Sequence, residues 1–271
     1  YLDAAPLDKG ENVRRDICFT LERQGLKPTS SHHEKGPGQN EIRFNYNDAL
    51  YAADDFITFK STVKAIAAAS GLYASFLPKP MVNEEGSALK INVLLKKGDK
   101  ECSSESNELK SFLAGILNRI KDMTLFLNPT PNSYDRFKSA TSPKYIGWAE
   151  QKFHQVLRVS KYKATLYSSD PSCNPYVAYA LILFAGAEGL EKGLSLQDNV
   201  KEVIIDSKKY ESLPLTLDAA IKIAENSEFI KNVIPTKHLE QFIAYKKNEC
   251  AQYEQSQDAA AFLDEKYFGR I

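Results

Sequence analysis

The stretch Ser30-Ser31-His32-His33-Glu34-Lys35-Gly36-Pro37-Gly38-Gln39-Asn40-Glu41-Ile42-Arg43-Phe44-Asn45-Tyr46 carries a turn signal between two short runs. Gly-Pro-Gly punctuates the chain, and Glu41 to Tyr46 alternates polar with apolar, so the segment reads as two strands around a tight loop. It also holds the densest group of chemistry-bearing side chains: His32, His33, Glu34, Gln39 and Glu41. Carboxylates and imidazoles converging beside a Gly-rich turn are what a hard divalent cation requires. Mg²⁺ prefers oxygen ligands and retains several waters, so one or two carboxylates suffice. The same residues would also form a plain surface hydrogen-bond cluster.

Outward from this hairpin the pattern is mixed. Val13, Ile17 and Leu21 recur at four-residue spacing ahead of Gly25, which predicts a helix over 11–24. A second helix is expected over 48–70, closed by Gly71, and a third over 105–122, with Leu109, Phe112, Leu113, Ile116, Leu117 and Ile120 on one face. Short strands are expected at 72–77, 89–95, 145–148, 155–159 and 162–167. From Pro175 onward the chain reads as helical, with Thr216 and Thr236 as N-caps. Strands come mainly before residue 170 and helices after it, without regular βαβ alternation, which indicates an α+β fold.

Thirty-five basic and thirty-five acidic residues cancel in this 271-residue chain, so no basic face calls for nucleic acid. The longest apolar run, Tyr176 to Ala187, stops at Glu188 and falls short of the roughly 20 residues a membrane span needs; it reads as a buried helix. Cys18, Cys102, Cys173 and Cys250 form no CxxC pair, which favours a reducing cytoplasm. There is no initiator Met and no signal peptide, so the chain reads as a portion of something longer.

The hairpin stretch resembles the HHE-x-APGQ-x-E motif of the glutamine synthetase family. Other segments resemble that family in the same order: Ala5-Pro6-Leu7-Asp8, Phe76-Leu77-Pro78-Lys79-Pro80, Asn132-Ser133-Tyr134-Asp135-Arg136, Tyr145-Ile146-Gly147-Trp148, Asp170-Pro171-Ser172-Cys173-Asn174-Pro175-Tyr176, and Leu213-Pro214 through Ala220. The resemblance spans nearly all of residues 1–271, as a catalytic domain without the family's N-terminal domain and first catalytic strand. It implies a curved antiparallel sheet flanked by helices. It also implies ring-shaped homo-oligomers in which each site is shared with a neighbour's N-terminal domain. The family reaction joins ammonia to glutamate through γ-glutamyl phosphate, using ATP with Mg²⁺ or Mn²⁺.

By the same resemblance Glu34 and Glu41 match ligands of the first metal site. Tyr1 matches a tyrosine of the ammonium pocket, and His32, Arg136 and Arg158 match substrate- or phosphate-binding positions. Four positions depart from the family. Lys90 stands where a metal-binding His is expected, Thr165 where a metal-binding Glu is expected, and Phe153 and Tyr167 where arginines face the phosphates. The flap segment 137–142 carries no proton-accepting carboxylate. The expectation is therefore weak binding of metal and ATP and no turnover by this chain alone. The alternatives are an active carboxylate–amine ligase once completed by an N-terminal half or neighbouring subunit, and a structural or regulatory pseudoenzyme subunit.

Overall fold

Ser106 begins the central helix by accepting the N–H of Leu109 on its side chain (3.3 Å), and the chain then stays helical to Leu127. The apolar residues Met123, Leu125, Phe126 and Leu127 extend the run beyond residue 122 and are buried, which is why the helix outlasts the predicted boundary. The computed structural model of the chain describes residues 1–4, 6–139, 142–151, 154–200 and 210–271.

In chain order the elements begin with α1 (Glu11–Arg23), β1 (Pro28–His33), β2 (Asn40–Phe44) and α2 (Ala49–Ala69). Next come β3 (Ile91–Val93), β4 (Lys96–Lys97), β5 (Lys100–Glu101), α3 (Asn107–Leu127) and α4 (Pro131–Phe137). Three strands follow, β6 (Tyr145–Ala149), β7 (Gln155–Ser160) and β8 (Lys163–Leu166), and then α5 (Pro175–Glu191). The C-terminal part holds α6 (Leu217–Asn226), α7 (Glu228–Val233), α8 (Thr236–Gln255) and α9 (Ala259–Leu263), ending in a π-helical turn at Asp264–Phe268.

The α+β class is as expected. The main sheet has the order β3-β8-β7-β6, while β1-β2 and β4-β5 are separate antiparallel hairpins. One pairing differs from a uniformly antiparallel sheet: β6 runs parallel to β7. On its other side β6 is tied to the segment before α6, where Ile146 N–H donates to Glu211 O (2.8 Å) and Leu213 N–H donates to Lys144 O (2.8 Å).

Two further expectations are corrected. Residues 72–77 form no strand, because Leu72 N–H turns back to Ala67 O (2.8 Å) and Phe76 N–H donates to the far C-terminal Ile271 O (3.2 Å). Thr216 does cap α6, accepting from Ala219 N–H (3.2 Å), but Thr236 is already the first residue of α8. The cap there is Pro235, whose carbonyl receives His238 N–H (2.9 Å).

The α5 start explains the Asp-Pro-Ser-Cys-Asn-Pro-Tyr run in local terms. Asp170 accepts the N–H of Ser172 (2.9 Å), Asn174 accepts those of Tyr176 (3.0 Å) and Val177 (3.4 Å), and Pro175 supplies a preset first helical φ. Helix α5 then crosses α3 at Gly115 and Gly189, where a methyl group on either glycine would run into the other helix's backbone. The principal core comprises α3, α5, β6–β8 and α6–α8, while α1, the β1-β2 hairpin and α2 enclose a smaller cluster around Ile17, Leu21 and Leu26. No helix among the described residues is long and apolar enough to cross a membrane.

A bidentate ion pair braces the crossing: Arg119 Nε and Nη2 on α3 donate to Glu188 on α5 at 2.7 and 2.6 Å, and Lys192 adds a bond of 2.5 Å. The Arg119 hydrogen bonds, against some desolvation and with help from Lys192, hold the Glu188 carboxyl down at about 2. A folded-state value below the ordinary 4.5 means that the pair stabilises fully above about pH 4.5 and loses that contribution as pH falls toward 2. With both side chains partly screened by solvent the contribution is about 1–2 kcal/mol. Glu188→Gln is expected to lower urea-unfolding stability by that amount at pH 7, with the gap to wild type closing between pH 5 and pH 3. A gap independent of pH would remove the ion pair as its source.

Candidate functional site

The pleat of the β1-β2 hairpin selects which of its polar residues meet. His32 lies opposite Glu41 in the register, and Glu34 follows His32 by two residues, so all three project on one face. Their ligand-type atoms lie within 4.8 Å of one another, the one such group of three or more His, Cys, Asp or Glu among the described residues. Gln39 ties this hairpin to the loop before β3: its Oε1 accepts Gly36 N–H (3.1 Å), and its Nε2 donates to Gly86 O (3.1 Å) and Ser87 Oγ (3.4 Å).

That loop delivers Lys90. Its ammonium donates to Glu41 Oε2 and lies 3.4 Å from Glu34 Oε1, the oxygen that also faces His32 Nε2 at 3.4 Å. Arg43 Nε donates to the other Glu41 oxygen. Burial pushes the Glu41 carboxyl up, but the hydrogen bond and charge of Lys90, with Arg43 assisting, bring it down to about 2. Two carboxylates at this separation repel by about 3–4 kcal/mol at an effective dielectric of about 20, so the site needs a cation. Lys90 is that cation. An ammonium has three donors and no acceptor, so the donor set does not fit a divalent ion while Lys90 is seated between the carboxylates.

Glu34, Glu41, Arg43 and Lys90 line a cleft of about 1850 Å³, which the main sheet lines as well through Asn92, Arg158 and Thr165. Across β3, β8 and β7 the register aligns Asn92, Thr165 and Arg158 in one row. Buried Thr165 donates its hydroxyl to Asn92 Oδ1 (2.7 Å), a neutral pair. Arg158 is exposed, its Nε donating to Glu150 O (3.3 Å). Tyr167 is half-buried at the edge of the cleft.

Arg136 is placed differently from an arginine awaiting a ligand. It is 4% exposed and donates to the main-chain carbonyls of Ser168 and Tyr167, the latter at 3.4 Å. Burial draws its guanidinium down to about 10, against the opposing charge of Asp170. Tyr1 is exposed, with its ring edge-on to His32 at 5.8 Å between centroids. Phe153 lies outside the described residues.

The hairpin residues and Lys90 are thus brought together, and Tyr1 joins them through His32. Thr165 and Arg158 form a second group on the main sheet, and Arg136, though almost fully buried, also lines the cleft. The sequence reading did not single out Arg43 or Asn92 as site residues. Both stand two residues after one that it did assign, Glu41 and Lys90, and strand alternation places such residues on one face.

Comparison with known proteins identifies the family. The family model for the catalytic domain of glutamine synthetase matches residues 1–263. Glutamine synthetase of Methanosarcina mazei is 35% identical over 93% of this chain, and that of Staphylococcus aureus is 37% identical over the same share. The chain spans 61% of the length of each. Among solved structures, ligand-free GmaS superposes with a TM-score of 0.87 at 28% identity, covering 95% of this chain and 63% of that one. A GmaS complex with ADP gives 0.88 at 26% identity, covering 97% and 65%. Plasmodium falciparum glutamine synthetase gives 0.85 at 21% identity, covering 99% and 63%, and so speaks for the fold alone. The chain belongs to the glutamine synthetase family, as a member of its catalytic-domain class.

Proposed function

We propose that this chain is the catalytic-domain portion of a glutamine-synthetase-like protein, that it keeps the scaffold of an ATP-dependent glutamate–ammonia ligase, and that it does not catalyse ligation by itself. The observation that carries this reading is the seating of Lys90 between Glu34 and Glu41. The family reaction needs divalent cations to neutralise phosphate charge and an acceptor for the ammonium proton. Here the carboxylates assigned to the metal already hold an internal cation, the second metal position is the neutral Thr165–Asn92 pair, and segment 137–142 offers no carboxylate. Weak binding of Mg²⁺ or Mn²⁺ and of ATP follows, with Arg158 as the remaining exposed cation of the sheet row.

A second reading is favoured by one feature. The cleft is large and open, lined by Glu34, Arg136, Arg158 and Tyr167, and the chain covers 61% of its relatives' length. An N-terminal half or a neighbouring subunit of a homo-oligomer would complete it, with glutamate, ammonia and ATP as substrates.

Phosphate release separates the readings. Purified chain given ATP, Mg²⁺, glutamate and ammonium is expected to release phosphate at the no-enzyme rate, alone or mixed with the N-terminal half of a relative. Glutamine formed well above the control in the mixture would establish the second reading.

The buried seat of Arg136 has its own consequence. Arg136→Leu leaves the Tyr167 and Ser168 carbonyls short of a donor, and a drop of about 2–4 kcal/mol in unfolding free energy is expected. Exposed Arg158→Ala is expected to change stability by less than about 0.5 kcal/mol. Equal and small effects in chemical denaturation would mean that the Arg136 guanidinium is free in the cleft.

A further inference from the structure

We infer that Lys90 is a tethered counter-ion that replaces a bound divalent cation structurally, docking the β1-β2 hairpin on the loop before β3 without metal, and that removing its charge opens a cation site at His32, Glu34 and Glu41.

The hairpin needs such a dock. It belongs to the smaller core cluster and shares no sheet with β3. It reaches the loop before β3 through the neutral Gln39 bonds and the Lys90 ion pairs. The carboxylates are mostly shielded, with side-chain exposures of 20% for Glu34 and 14% for Glu41, and Lys90 is itself only 28% exposed. Water therefore screens their mutual repulsion poorly, and a positive charge must come from within. Arg43 meets only Glu41 and is 56% exposed, so it leaves Glu34 uncompensated. Lys90 reaches both. It delivers one charge where an ion would deliver two, but its cation cannot dissociate, so the docked state is independent of metal concentration.

Lys90→Met keeps the apolar stem and removes the charge. What remains is two carboxylates and an imidazole whose donor atoms lie within 4.8 Å, a set of oxygen and nitrogen ligands that Mn²⁺ accepts. The inference rests on the same ion pairs as the proposed inactivity, yet it is read by thermal unfolding with no nucleotide present. Glutamine formation by a completed assembly would therefore overturn the inactivity and leave this inference standing.

In the test, thermal unfolding of the 271-residue chain is followed in EDTA and in MnCl₂. Wild type and the charge-keeping Lys90→Arg are expected to melt at the same temperature in both. Lys90→Met is expected to melt about 5 °C lower in EDTA. Mn²⁺ at ten times its dissociation constant then multiplies the folded-to-unfolded ratio about elevenfold and returns about 3 °C. Lys90→Met/Glu34→Gln, which removes the uncompensated carboxylate as well, is expected to regain the wild-type melting temperature and to ignore Mn²⁺. It keeps the proposal open to test if the single variant does not fold. A Mn²⁺ shift in wild type as large as in Lys90→Met would overturn the inference. So would a folded Lys90→Met that Mn²⁺ leaves unchanged, or a double variant that gains no stability over a weakened single one.

Discussion

The closeness of α3 and α5 is the constraint on which the rest of the molecule hangs. Gly115 and Gly189 let the two backbones meet without intervening side chains, and Gly186 lies against the ring of Phe112 in the same seam. Helices this close bury a continuous apolar surface, so α3 is buried on nearly every side and α5 carries apolar residues all round. The main sheet packs on that pair through Val156, Leu157, Ala164 and Leu166, and α6 to α8 close the other side. The α3-α5 seam itself is apolar, and apart from Arg136 the assigned site positions sit elsewhere, on the hairpin and the main sheet.

That separation lets a family fold coexist with the altered site proposed above. On that proposal, exchanging a metal ligand for Lys90 or Thr165 changes no residue of the α3-α5 seam. It does change the local charge balance, and each exchange is balanced where it occurs: Lys90 by Glu34 and Glu41, Thr165 by Asn92. Buried polar groups are tolerated when their partners are within reach, and both replacements meet that condition. Arg136 meets it in part: its Nη atoms donate to the Ser168 and Tyr167 carbonyls in the field of Asp170, while its buried Nε has no hydrogen-bond partner.

How far the sequence made this legible depended on the distance over which each signal acts. The hairpin was readable because Gly36-Pro37-Gly38 and the alternation from Glu41 onward are local. So were the Thr216 cap and the buried helix after Pro175. The strand expected at 72–77 was not formed, because the partner of Phe76 lies at the opposite end of the chain, and local apolar pattern cannot reveal such a partner. Pro235 took the cap assigned to Thr236, because its carbonyl and fixed φ already start the helix. The parallel alignment of β6 with β7 is likewise a tertiary choice, set by the pairing of β6 with the segment before α6. Family resemblance gave the identities of the site positions, but not their partners. That Lys90 reaches both carboxylates, and that Arg136 turns inward, needed three dimensions.

The chemistry of the hairpin then turns on what a cation is asked to do there. In a working ligase of this family the ion has two duties: it neutralises the carboxylates that hold it, and it presents open coordination positions to substrate oxygens. A lysine can perform the first duty and not the second. Its hydrogens are donors only, and here they meet Glu34 and Glu41. On the function proposed above, the static duty is kept and the catalytic one given up, within a hairpin whose register and Gln39 anchor are in place. On the same proposal, a hairpin held by a covalently attached cation keeps its shape at any metal concentration, and that attachment bars the exchange of ligands on which turnover depends.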